Sequence, residues 1–276
     1  MNFKKIYHEC LGNCIFFDNG FVEVGIPLEY GIRIGHFSLV GKNNVFFEQP
    51  ADMQDLTTEH GWRVRGGHRL WLAPESEKVY YPDNDPIGYQ LLENGVELFQ
   101  REDPWLHVQK TVTLCFADDY KVEVHHRIKN MSEDVIEASL WAVTSVVGGG
   151  VQYIDFQNRE GGMDHWHRIS MWDYTNLGDK RAKYFADGIK LTHMPVKEKY
   201  KIGVGHPYGA VRYEMEDVTF IKDFTVLPDE KYPDGNVSYE TFLCRHMVEM
   251  ESLSPIQKIK PGDWAEHSET WELRQR

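Results

Sequence analysis

The sequence predicts an all-β protein built from large antiparallel sheets, and three observations predict it. Short apolar or alternating runs recur along all 276 residues, separated by Gly, Pro, Asn and Asp turn signals. Aromatic residues make up 13% of the chain, with Trp 8, Tyr 14 and Phe 14, and such side chains favour strands. Helical periodicity over ten or more residues is nearly absent.

The first predicted strand, 21–26, alternates and ends at Pro27. Residues 31–40 alternate next, and Gly41-Lys42-Asn43-Asn44 turns the chain into 45–47. Residues 51–60 read as a loop or one turn. Residues 88–92 and 96–100 flank Asn94-Gly95 and read as a hairpin. Three longer strands follow, 106–116, 121–129 and 135–147, joined by Asp118-Asp119 and by 130–134, so the middle of the chain reads as a meander. Beyond it, strands are expected at 167–172, 189–192, 201–204, 210–213 and 218–226. A long one is expected at 237–250, then 256–259, a Pro261-Gly262 turn and 265–273. One short helix is expected within 174–185. No repeat, linker or composition shift marks a boundary, so residues 1–276 read as one domain, a sandwich of two broad sheets with a concave ligand face.

The bulk properties limit the function. A formal charge of −13 without a basic run argues against nucleic acid and anionic membrane surfaces. Cys10, Cys14, Cys115 and Cys244 form no CxxC pair and no zinc spacing, and read as reduced thiols. Lys4 and Lys5 are followed by Ile6-Tyr7-His8-Glu9, which breaks any signal-peptide apolar region, and no run is long enough to span a bilayer. The expectation is a soluble cytoplasmic protein, its oligomeric state open.

Residues 61–75 are the densest in chemistry: Gly-Trp-Arg-Val-Arg-Gly-Gly-His-Arg-Leu-Trp-Leu-Ala-Pro-Glu. Flat aromatic faces beside bidentate donors suit a sugar, with C–H faces on the rings and guanidinium and carboxylate on the hydroxyls. Arg69, Trp71, Glu75 and His68 are the candidate lining here. Arg63, Arg65 and Arg69 would form a cation cluster for an anionic ligand, and Arg65 joins the binding candidates. The competing reading is a twisted edge carrying surface Arg and core Trp.

In Met247-Val248-Glu249-Met250-Glu251 the alternation puts Glu249 and Glu251 on one strand face, their Cβ atoms roughly 7 Å apart. Mutual repulsion then raises one pKa toward general acid or base work; the competing reading is an exposed acidic face. His125 and His126 point to opposite faces, and His126 shares the register of Val122, Val124 and Ile128 and reads as core. His165-Trp166-His167 is an HxH pair, but Arg168-Ile169-Ser170-Met171 supplies no third carboxylate ligand, so no metal site is assigned. Asp83-Asn84-Asp85 reads as an Asx-Pro turn rather than a calcium loop. Gly148-Gly149-Gly150 lacks a phosphate-loop pattern and no helix follows it.

Three segments together carry a resemblance. They are residues 66–75; Tyr232-Pro233-Asp234-Gly235-Asn236 with Tyr239-Glu240; and 249–255 with Lys260-Pro261-Gly262 and Glu266-His267-Ser268-Glu269-Thr270-Trp271. The chain resembles a DUF4380-like bacterial family related to galactose mutarotase and aldose 1-epimerase, over most of residues 20–273. The resemblance implies a β-supersandwich and cofactor-independent exchange of sugar anomers, with a late-strand Glu as base and a His as acid. That Glu matches Glu249 or Glu251, with Glu251 preferred, and the early epimerase Arg matches Arg69. The epimerases' central Asn-His pair is missing from 140–145, which leaves His68 as the candidate acid. The alternatives are a non-catalytic sugar-sensing module, a polysaccharide-lyase-related accessory domain and a metal-dependent cupin-like enzyme.

Overall fold

The structure, a computed structural model, describes residues 1–50, 52–53, 57–58, 60–157 and 167–276. In chain order the strands are β1 (Asn2–His8), β2 (Gly12–Asp18), β3 (Val22–Pro27), β4 (His36–Leu39), β5 (Gly67–Ala73), β6 (Gly88–Leu92), β7 (Gly95–Phe99), β8 (Val108–Asp118), β9 (Lys121–Asn130) and β10 (Ile136–Val147). They continue as β11 (Val151–Phe156), β12 (Arg168–Met171), β13 (Ala182–Phe185), β14 (Gly188–Thr192), β15 (Tyr200–Gly205), β16 (Pro207–Glu214), β17 (Val218–Phe224), β18 (Tyr239–Leu243), β19 (Met247–Leu253), β20 (Gln257–Ile259) and β21 (Trp264–Gln275). The only helical pieces among the described residues are single turns at Glu77–Tyr80 and Pro233–Asn236.

The strands form three antiparallel sheets. One is the meander β1-β2-β3-β4. The second runs β12-β15-β18-β19-β10-β20, with β5 on the free side of β10. The third has ten strands, β13-β14-β11-β16-β17-β21-β9-β8-β7-β6. The second and third stack face to face, and the main core lies between them with residues such as Val124, Val204, Phe220, Met250 and Trp271. This is the all-β, large-sheet architecture that the strand count predicts.

Three expectations change. Residues 174–185 are not helical: turns at 172–175 and 176–179 are closed by backbone bonds, and β13 follows. The expected strand 237–250 is two strands, because Cys244 N–H bonds Met247 O and folds β18 back on β19. The pair β1–β2 was not expected, since β1 is exposed on both faces and shows no alternation. The HxH pair falls largely outside the described residues, with only His167 among them. No helix among the described residues is long and apolar enough to cross a membrane.

Candidate functional site

Alternation on five neighbouring strands builds the site. On β5, Leu70 and Leu72 face the other sheet while Arg69 and Trp71 face outward. On β10 the outward residues include Trp141 and Ser145; on β19, Met247, Glu249 and Glu251; on β18, Glu240 and Phe242; on β15, Lys201. Gly66 and Gly67 make the placement of β5 possible. Both have positive φ, and a Cβ at Gly67 would lie 2.2 Å from Ile34 O.

The outward face floors a cleft of about 770 Å³. Arg69, Trp71, Glu75, Trp141, Lys201 and Glu249 line it, with Trp62 and Tyr80 at one wall and Trp172 and Tyr174 at another. Glu249 is 8% exposed. Its Oε1 accepts from Arg69 Nη1 at 2.9 Å and Ser145 Oγ at 3.0 Å. The Arg69 guanidinium lies 4.1 Å from the Trp71 ring centre. Tyr80 hydroxyl donates to Glu75, and burial, reinforced by that carboxylate, raises the Tyr80 pKa.

Lys201 anchors the opposite end. Its Nζ is 2.9 Å from Glu240 Oε2 and 3.3 Å from Glu251 Oε2, and it sits between Trp141 and Trp172 with ring centres at 4.6 and 4.5 Å. Trp141 Nε1 also donates to Glu251 Oε2, at 2.9 Å. Glu240 and Glu251 stand directly opposite each other across β18 and β19. Their remaining oxygens are buried without a partner among the described residues. Burial raises the pKa of both carboxyls. Burial alone would lower that of Lys201, but Glu251 and Glu240 together raise it, so Lys201 is a fixed cation.

The sequence-predicted residues therefore divide. Arg69, Trp71, Glu75 and Glu249 line the cleft. Glu251, the expected base, lies beneath it at 0% exposure, while Glu249 and Glu75 present their carboxylates to it. Arg65 turns away, stacking on Tyr30 at 3.8 Å and donating to Asn84. His68, the expected acid, is not in the lining. As the strand neighbour of Arg69 it must face the other way, and it is 0% exposed between the sheets. Sequence reading missed Lys201, Trp141 and Trp172; the lysine alternates with apolar Tyr200 and Ile202 on β15, which was the available signal.

On the inner face His68 belongs to a closed network. His126 Nδ1 faces His267 O at 3.0 Å and so donates, leaving its Nε2 to accept from His68 Nε2 at 2.8 Å. His68 Nδ1 then accepts from the Thr144 hydroxyl, 2.9 Å away. Lys222 Nζ donates to Ala142 O, Thr144 Oγ1 and Met250 O at 2.7, 2.8 and 3.0 Å, and is 3.0 Å from Glu269 Oε2. Burial lowers the His68 pKa far below the usual value, and those of His126 and His267 to about 3. His68, His126 and Glu269 form the one metal-spaced group among the described residues. Their nitrogens are already used in hydrogen bonds, and Lys222 supplies the positive charge, so these residues fit a polar core better than a metal.

No protein-family model matches the chain, and no curated relative does. Solved structures do resemble it. A "putative mutarotase" (YeaD) from Salmonella typhimurium superposes with TM-score 0.63 at 12% identity, over 99% of this chain and 94% of that one. A galactose mutarotase-like protein from Lactobacillus casei gives 0.61 at 9% identity, over 95% and 100%. A "putative aldose 1-epimerase" from Escherichia coli K12 gives 0.55 at 10%, over 95% and 98%. The chain therefore has the galactose mutarotase-like fold. At these identities the likeness defines architecture, and the chemistry must be argued from the cleft.

Proposed function

We propose that the cleft binds a sugar and exchanges its anomers in the manner of an aldose 1-epimerase, with Glu249 as the base. The observation that carries this reading is a carboxylate held at one oxygen by Arg69 and Ser145, with its other oxygen unbonded among the described residues, amid Trp71, Trp141 and Trp172. Indole faces take the C–H side of a pyranose, and the charged groups take its hydroxyls. Glu249 Oε2 removes the proton of the anomeric hydroxyl as the C1–O5 bond opens. Water in the open cleft protonates O5, and reclosure on the other face of C1 returns both protons. Glu251 acts indirectly in this scheme, by fixing Lys201. No cofactor is needed, and the setting is taken as cytoplasmic, in keeping with four free cysteines.

One observation favours a non-catalytic sugar sensor instead: no histidine lines the cleft among the described residues. Proton NMR separates the two readings. Saturation transfer from protein to a panel of monosaccharides reports binding, and exchange between α and β anomeric signals reports catalysis. Epimerase action requires accelerated exchange that Glu249→Gln abolishes while binding persists. Exchange at the wild-type rate in Glu249→Gln refutes the base assignment, and binding without exchange leaves the sensor.

A further inference from the structure

The Arg69 end of the cleft holds more positive charge than its own carboxylates neutralise. Ile34 and His68 exchange backbone hydrogen bonds at 2.8 and 3.0 Å as an antiparallel bridge, so the preceding residue, Arg33, lies beside Arg69. Like charges set side by side across strands repel. Arg33 is nevertheless 5% exposed, and its one hydrogen bond among the described residues is a long contact to its own neighbour, Ile32 O at 3.4 Å. It forms no ion pair among them. Its Nε–H is buried without an acceptor among the described residues, and so is the Nε–H of Arg69. Two adjacent guanidiniums thus keep unused donors in a dry place, where an unmet donor costs most.

We infer that this pair receives the carboxylate of an acidic sugar, so that the ligand of the cleft is a hexuronate rather than a neutral hexose; the inference rests on the sugar-binding reading above. The charge count points to a single negative charge. Arg69 is paired with Glu249, whereas Arg33 has no ion-pair partner among the described residues. Two guanidiniums, Arg33 and Arg69, against the one paired carboxylate leave one positive charge. A carboxylate cancels it and, being planar, matches the guanidinium fork. A phosphate dianion exceeds it. At the far end Glu240, Glu251 and Glu75 surround Lys201, which repels an acid group and sets the ligand's direction. Arg33 is a specificity-determining residue in this scheme, acting beside and through Arg69.

The test is calorimetric titration of the wild-type protein with D-galacturonate and D-glucuronate, with the matching neutral hexoses, and with hexose 6-phosphates, at one ionic strength. A uronate is expected to bind about tenfold or more tighter than its neutral partner. Arg33→Met should remove most of that preference, read as the ratio of uronate to neutral-sugar affinity. Arg33→Lys, which keeps the charge, should retain part of it and serves if the Met variant does not fold. Neutral sugars bound as tightly as uronates would overturn this inference and leave the sugar reading standing. So would tighter binding of the 6-phosphates, or an Arg33→Met protein with its preference intact. Failure of every sugar to bind would overturn both readings.

Discussion

Lys222→Met tests whether the buried network between the sheets holds the cleft's floor in place. The ammonium is fully buried and shares its three protons among Ala142 O, Thr144 Oγ1, Met250 O and Glu269. Methionine fills the volume but leaves Glu269 without its cation. Breaking a buried pair in this way costs about 3–5 kcal/mol. An unfolding entropy of ~2.1 cal/mol/K per residue over 276 residues is roughly 580 cal/mol/K, so ~4 kcal/mol lowers Tm by about 7 °C. Urea titration gives the free energy, and a thermal melt gives the shift. Adding Glu269→Gln removes the stranded charge, so the double variant should be more stable than Lys222→Met alone. A single-variant loss below about 1 kcal/mol, or a double variant that is simply worse, refutes the reasoning.

Acid should destabilise the protein through His126 and His267: their folded pKa values, about 3, lie below the unfolded value, so the unfolded chain binds more protons as pH falls below ~6.5. Between neutrality and pH 4.5 the two together should remove about 5 kcal/mol, and flat stability in urea titrations across that window contradicts the assignment. Lys201→Met should cost about 3–5 kcal/mol, because it leaves Glu240 and Glu251 buried without their cation, and the denaturant midpoint decides it. Gly67→Ala should lose about 3 kcal/mol or more, since a Cβ meets Ile34 O at positive φ, and a melt within a degree of wild type counts against that placement. Trp172→Ala, half-buried at the cleft wall, should weaken sugar binding about tenfold with little change in Tm, and equal affinity removes Trp172 from the site.

Period-two patterning made much of this legible in advance. Val122, Val124, His126 and Ile128 face inward on β9 with His125 outside, as the alternation requires. The same rule, applied to residues 68 and 69, would have separated His68 from Arg69; the resemblance to epimerases pulled them into one site. Which strands become neighbours was not legible. β5 pairs with β10 across some seventy residues of chain, and that pairing sets Trp71 against Trp141. Lys201 was hidden for a similar reason, because its significance comes from Glu240 and Glu251 on two other strands. The turns at 172–179 misled because their polar spacing mimics a helical face while their side chains border the cleft rather than a core.

The seven-stranded sheet is a two-sided surface whose sides answer to different demands. Along β10 and β19 the phenotype of substitution should therefore alternate residue by residue. Changes at Thr144, Val248 or Met250 would show as lost yield of folded protein, and changes at Trp141, Ser145 or Glu249 as altered ligand choice at near-normal yield. A lineage bearing this sheet can revise what it binds by editing every second position, while the intervening ones preserve the scaffold through which any new binding is inherited.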